Sequence, residues 1–359
     1  MQILSVRGAA APATSPTSWP KNLAIPGPED FVIDRAAHIA YLSSQDRSGS
    51  EAVMGGLLRM KANRWEVRGS IYQMDLNDPD LSLWQLADDF PKNKGFHPVG
   101  MDLHVNPDGS RRLFIVNWPG PNQYAVEIFD LETNRLRHVR TVAGKALTCP
   151  NDIAAVDGER FYVSNSLSLH PSLQQMEQLL GLPTGTVVYH DPDEAELQVV
   201  ATGITYANGI ALDRRRGRIY VASFTNGRIL EFFWDPLQPT APLRRCSALT
   251  LDFLPDNLVW EDENTLWVAG SQFLSGLFFM LQLSDRAPSY VARIALASPD
   301  LVDQEPLSRA RPEMMYRDDG GEIPACSVAA PYELNGERRL IIGSCFADHA
   351  LVSLTSPAP

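Results

Sequence analysis

The chain has 359 residues, too many for one small core, and its 44% hydrophobic and 21% charged side chains exclude an intrinsically disordered chain. With 43 acidic against 31 basic residues the formal charge is −12, which argues against nucleic acid or an anionic membrane surface as partner and fits a protein that concentrates cations. Four cysteines, Cys149, Cys246, Cys326 and Cys345, stand far apart without a C-x-x-C pair, so neither a zinc knuckle nor a dense disulfide scaffold is expected, only buried thiols.

Residues 1–20 lack the long apolar stretch of a secretory signal, no run of 18 apolar residues occurs, and there is no N-x-S/T sequon. A cytoplasmic protein without a stable membrane anchor is the expectation. Residues 1–25 read as an extension and 26–359 as one domain.

From there a unit recurs in which a polar or small pair precedes an apolar stretch, a turn follows, and an aliphatic strand closes on Ser, Asn or Gly. Glu29-Asp30 opens FVI and leads to HIAYLSS; Val99-Gly100 opens MDL and leads to RLFIVNW, with AVEIFDL after it. Asn151-Asp152 opens IAAV and leads to RFYVSNS. The one convincing helix then follows in HPSLQQMEQLLGL, where Leu173, Met176, Leu179 and Leu180 share a face and Gly181 with Pro183 end it. After TVVYH, Asn208-Gly209 opens IAL and leads to RIYVASF and RILEFFW. Asp256-Asn257 opens LVW and leads to TLWVAGS and LFFMLQL; Cys326-Ser327 opens VAA and leads to RLIIGS.

Six units at an average spacing of about sixty residues predict an all-β, six-bladed β-propeller, with insertions around 44–70, 166–185 and 298–322 and a short helical lid at the channel mouth. A two-domain sandwich does not explain a sixfold unit. A parallel α/β sheet needs a helix after nearly every strand.

In a closed propeller the first strand of each unit lines the channel, and its opening residues gather at one mouth. Glu29, Asn151, Asn208, Asp256 and Asn257 then aim five oxygen-bearing side chains at one axis, with neither thiolate nor imidazole among them. Calcium suits such a set: it takes roughly six to eight oxygen ligands and tolerates an irregular cage. Local turn hydrogen bonds are the ordinary use of any single Asn or Asp before a strand, but five coincident positions in one repeat favour a cation.

The segments PEDFVID with AYLSS, FHPVGM, FIVNWP, PNDIAAV, YANGIAL, LPDNLVW with LWVAG, and RLIIGSCF resemble the serum paraoxonase and arylesterase family, relatives of the gluconolactonase and strictosidine-synthase propellers. The resemblance runs from about residue 26 to the C-terminus and implies two calcium ions in the channel. It implies that the upper, substrate-contacting ion is held by Glu29, Asn151, Asn208, Asp256 and Asn257. It implies a deeper, structural ion on Asp30, Asp152 and the backbone carbonyl of Met101.

Two departures stand out. The histidine pair that the family uses to activate water is replaced here by Val99 and Trp118, neither of which can act as a base. The family's disulfide and its apolar N-terminal segment are also absent. Asn117 remains to hydrogen-bond a substrate carbonyl, and Val99, Trp118 and Ser271 are expected to face the substrate. His97 is the first candidate for a substitute base, followed by His104 and His349, with Glu29, Asn151 and Asp256 in the catalytic set. The expected activity is calcium-dependent hydrolysis of a small, largely apolar lactone or ester. The alternatives are a non-hydrolytic cyclase, pericyclase or isomerase of small-molecule biosynthesis, and a calcium-braced binding propeller without catalysis.

Overall fold

The computed structural model describes residues 3–7, 25–46, 67–78, 81–272, 286–302, 305–334 and 336–354. They form six sheets whose strands run in sequence order from the inside outward, except that Ala87–Asp88 adds to the outside of the second and an N-terminal strand to the outside of the sixth. The innermost strands are Pro28–Asp34, Pro98–Val105, Pro150–Ala155, Ala207–Asp213, Leu254–Asp262 and Val328–Leu334, and each packs against its neighbours around a closed ring. This is the expected six-bladed propeller, and the strand heads lie within two or three residues of the polar pairs read from the sequence.

Alternation along each strand sends successive side chains to opposite faces, so each blade feeds two apolar layers. Phe161 and Val163 of the third blade pack with Phe114 and Val116 of the second, whereas Tyr162 packs with Ile219 and Val221 of the fourth. Comparable clusters lie between the other adjacent blades. The core is thus a set of wedges between blades, and their closure fixes the channel at the centre.

Closure comes from the N-terminus. Ile3–Arg7 pairs antiparallel with His349–Leu354 as the outermost strand of the sixth blade. The boundary at residue 25 is therefore corrected: part of the supposed extension belongs to the propeller.

Three other details differ from expectation. LFFMLQL lies outside the described residues, and the ladder position after TLWVAGS is taken by Ser289–Ala295. The 298–322 segment is not all insertion, because Glu313–Asp318 is the outer strand of the fifth blade. Of the four cysteines, Cys149 and Cys326 are buried, Cys345 is half-buried and Cys246 is exposed.

The helix Gln174–Leu179 lies between the second and third strands of the third blade, on the side where the inner strands begin. Its orientation reverses the amphipathic reading. Leu173, Met176 and Leu180 are 44%, 57% and 62% exposed, while Glu177 is fully buried. The cause is a local polar anchor: the Glu177 carboxylate accepts the N–H groups of Ser168 and Leu169 at 2.7 and 3.0 Å and the hydroxyl of Thr184. A charge-assisted bond to three donors outweighs burial of the leucines at this exposed corner.

Candidate functional site

Five of the six inner strands break register at their heads. Pairing with the second strand shifts between Pro28 and Phe31, Pro98 and Met101, Pro150 and Ile153, Ala207 and Ile210, and Pro255 and Leu258. Each irregularity spans one polar or small pair: Glu29-Asp30, Val99-Gly100, Asn151-Asp152, Asn208-Gly209 and Asp256-Asn257. A bulge leaves residues outside the ladder and re-aims their side chains. The five residues expected at the mouth therefore stand at the same kind of shifted strand head, a repeated backbone device.

The two glycines have a steric reason. A Cβ on Gly100 would stand 2.5 Å from the Asn151 carbonyl oxygen and 2.6 Å from Asp152 Oδ1, and one on Gly209 would stand 2.5 Å from the Asp256 carbonyl oxygen. Neighbouring strand heads approach too closely for a side chain there.

Asp30 and Asp152 sit one step deeper and share a bonding pattern. Asp30 accepts from Phe31 N at 2.8 Å and, across to the next blade, from Met101 N at 2.7 Å. Asp152 accepts from Ile153 N at 2.7 Å and, across, from Ile210 N at 2.8 Å. Each backbone N–H of the pair bonds a serine hydroxyl on the second strand, Ser43 or Ser164, at 3.1 Å. Burial raises both carboxyls well above the usual range. Mutual repulsion adds to it: Asp152 and then Glu29 act on Asp30, while Asp102 and Glu29 act on Asp152.

Asp102, which the sequence reading passed over, repeats the pattern a level below. It accepts from Leu103 N and from Ala155 N of the next blade, both at 2.8 Å, and burial pushes its carboxyl up to about 6. The missing signal was its place inside the strand, away from the polar pair.

At the upper level two amide oxygens have no hydrogen-bond partner among the described residues: Asn208 Oδ1 and Asn257 Oδ1, on side chains 3% and 2% exposed. An orphaned buried acceptor costs about 1–3 kcal/mol. Glu29 is buried and Asp256 and Asn151 half-buried beside them, and the Glu29 carbonyl receives Ser327 Oγ at 2.6 Å and Asn257 Nδ2 at 3.4 Å, joining blades one, five and six. No group of three or more His, Cys, Asp or Glu is placed to hold a metal among the described residues. The donors that converge are instead carboxylates mixed with amide oxygens, and acceptors left without a proton to accept fit a hard cation.

The remaining expected residues fall elsewhere. Asn117 is fully buried with its amide already used: Oδ1 accepts from His97 N at 2.8 Å, and Nδ2 donates to Gly95 O at 3.2 Å and to Glu127 Oε1 at 3.0 Å. It has no amide hydrogen left for a substrate carbonyl, which corrects that expectation. His97 is equally buried, with Nδ1 2.7 Å from the Trp118 carbonyl, so it braces the second blade and is not placed as a base. Val99 is buried in the wedge between blades two and three, and not in an open wall. Trp118 is half-buried at the edge of that wedge, donating Nε1–H to Pro150 O at 2.8 Å with Tyr124 edge-on at 5.3 Å. Ser271 ends the second strand of the fifth blade on the mouth side.

His104 lies near the far end of its inner strand, opposite Arg112, where burial and then Arg214 lower its pKa. His349 is held by Asp348 and by the Glu322 carbonyl at 3.0 Å. Neither reaches the ring.

A second residue missed by sequence reasoning is Tyr206, immediately before the fourth inner strand. Its φ is +51°, its ring lies 5.4 Å from that of Phe224, and its carbonyl accepts Phe224 N at 3.1 Å. Burial raises the phenol above its usual range, and the groups that add to this are Cys149, Asp256, Glu29 and Cys345.

A cleft of about 200 Å³ exists on the opposite face, between blades four and five, lined by Arg216, Tyr220, Glu231, Leu307, Arg309 and Arg311. Its buried charges are already satisfied: Arg216 bonds Asp213, Asn264 and two carbonyls, and Glu231 accepts Leu307 N. The channel mouth, with its unsatisfied acceptors, is the better site.

Comparison with known proteins agrees with this fold. Residues 53–353 match the arylesterase family model. Serum paraoxonase/arylesterase 1 of Homo sapiens is 30% identical over 285 residues, covering 77% of this chain and 75% of that protein. Serum paraoxonase/arylesterase 2 of Gallus gallus is 31% identical over 287 residues with the same coverage. A solved luciferin-regenerating enzyme shares the fold, with a TM-score of 0.51 at 13% identity over 92% of this chain and 91% of its own. A six-bladed propeller whose sequence matches the family model and these relatives along most of its length belongs to the paraoxonase/arylesterase family.

Proposed function

We propose that this protein is a calcium-dependent hydrolase of small, largely apolar lactones or esters, with a general base different from the family's histidine pair. One observation carries the reading: two orphaned, buried amide oxygens stand with the Glu29 and Asp256 carboxylates on shifted strand heads. Glu29, Asn151, Asn208, Asp256 and Asn257 would hold an upper ion, and Asp30, Asp152 and the Met101 carbonyl a deeper one. When bound, calcium supplies Lewis-acid polarisation of a substrate oxygen. The names of the relatives, arylesterases, support the ester class.

The chain's own residues divide the other tasks. Trp118 and Tyr124 offer an apolar wall at the second blade. With His97 spent on the Trp118 carbonyl, the Glu29 carboxylate is the mouth group suited to take a proton from an attacking water. A second reading, a non-hydrolytic cyclase or isomerase, is favoured by the apolar Val99 and Trp118 at the positions of the water-activating histidines, since such a change suppresses hydrolysis.

The test is an assay of the calcium-supplemented protein on phenyl acetate and on five- and six-membered lactones. Turnover is expected, with Glu29→Gln lowering kcat by about 100-fold or more. Absence of turnover on every ester and lactone contradicts the hydrolase reading and leaves the non-hydrolytic one.

A further inference from the structure

Glu127 is a buried carboxylate away from the mouth, on the third strand of the second blade, Gln123–Glu132. It lies beside the wedge between blades one and two, where the ring of its partner His138 stands edge-on to Phe90 and Phe129 at 5.0 and 5.2 Å. A charge in such apolar surroundings opposes folding unless donors surround it. Three do: Asn117 Nδ2 and His138 Nε2 at 3.0 Å each, and Thr141 Oγ1 at 2.6 Å.

The bond to Asn117 also carries direction. A carboxamide has nearly the same shape either way round, and its partners decide which end is the oxygen. The Glu127 carboxylate only accepts, so it draws Nδ2 toward itself and Gly95 O, which leaves Oδ1 to accept His97 N at 2.8 Å. Turned over, the amide would set donor against donor at His97. His97 in turn holds the main chain of Trp118 at both ends: its carbonyl accepts Trp118 N at 3.2 Å, and its Nδ1 donates to Trp118 O at 2.7 Å. Trp118 follows Asn117 in the strand, so its side chain leaves by the opposite face, toward the third blade. There Nε1–H meets Pro150 O at 2.8 Å, at the register break that frees Asn151 and Asp152.

We propose that Glu127 is a positioning residue for the mouth: by fixing which way round the Asn117 amide sits, it sets the Trp118 indole and, through that indole, the head of the third blade. The inference rests on the mouth being the substrate site. Glu127 touches no substrate and passes on no proton. Its influence reaches the substrate through the wall that Trp118 forms, so it bears on binding and not on the chemical step.

The experiment follows the indole N–H resonance of Trp118 by NMR in calcium-supplemented protein, identified by its loss in Trp118→Phe. Glu127→Gln keeps the shape of the side chain but brings a second NH2 group to Asn117, and the resonance is expected to move upfield as the bond to Pro150 lengthens. Glu127→Gln combined with Asn117→Asp exchanges donor and acceptor between the two positions and should bring the resonance back. Arg214→Ala strands the carbonyls of Ala155 and Val156 at the opposite end, so it lowers the Tm yet should leave the resonance in place. Glu127→Gln should also raise KM for δ-valerolactone about tenfold with kcat within about threefold of wild type. A resonance unmoved in Glu127→Gln, moved as far in Arg214→Ala, or still displaced in the double variant overturns the proposal. The double variant decides it even where Glu127→Gln alone does not fold. If wild type hydrolyses no lactone while the resonance behaves as expected, the hydrolase reading fails and the role of Glu127 stands.

Discussion

The two ends of the channel are built from the same strands and treated differently. At the far end several charges around the axis are paired. Arg35 donates to the carbonyls of Pro331 and Trp260 at 3.0 Å each, Arg214 to those of Ala155 and Val156 at 2.6 and 2.8 Å, and Arg111 pairs with Asp34. Asp34 and Asp213, which end their inner strands, accept the N–H groups of the turns that follow. At the mouth, by contrast, buried acceptors stay without donors and carboxylates face one another. Folding alone would not leave those groups so, because each unsatisfied acceptor opposes it. The difference sets paired charges that join the blades against the unsatisfied acceptors on which the proposed calcium site rests.

The comparison is broken most sharply by replacing the orphaned acceptors. Asn208→Leu and Asn257→Leu are expected to weaken calcium binding at least tenfold by calorimetry. In a chelator the same variants should be as stable as wild type or about 1 kcal/mol more stable to urea, because the orphan is gone. Loss of stability with unchanged calcium affinity would assign the asparagines to the fold.

Arg214→Ala probes the other end. It strands two carbonyls, and an expected loss of about 1–3 kcal/mol in urea unfolding should come with calcium affinity within twofold of wild type. A large change in affinity would show that the two ends are not separate.

The smallest effect is the response to pH. Asp102 is raised to about 6 in the fold against an ordinary 3.8, and Asp30 and Asp152 are raised as well. Between the two values the folded chain holds more protons than the unfolded one, so stability falls as pH rises. Metal-free protein should therefore lose Tm, on the order of 5 °C, between about pH 4 and pH 7, and added calcium should flatten that slope. A Tm that rises over this interval in chelator would contradict the buried carboxylate stack.

How much of this was readable beforehand follows the physics of each feature. The inner strands were legible because a polar pair, an apolar stretch and a closing strand repeat six times, and repetition averages out local ambiguity. Which residues stand at the strand heads followed from that register. The bulges that aim them were not legible, since a register shift depends on which residue the neighbouring strand presents. Tertiary bonds defeated two other readings. Glu177 turned the helix over by capturing Ser168, Leu169 and Thr184, and Glu127 captured the amide of Asn117. Ile3–Arg7 was hidden because its partner, His349–Leu354, is at the other end of the chain. Tyr206 was hidden because its φ is invisible in YANGIAL.

The central claim is that the mouth and the carboxylates beneath it hold calcium. The most direct measurement is the metal content of the purified protein after gel filtration, with thermal unfolding before and after a chelator. The account predicts about two calcium ions per chain and a Tm that drops by several degrees on chelation and returns with calcium alone. Metal-free protein that takes up no added calcium, with a Tm indifferent to the chelator, would contradict it.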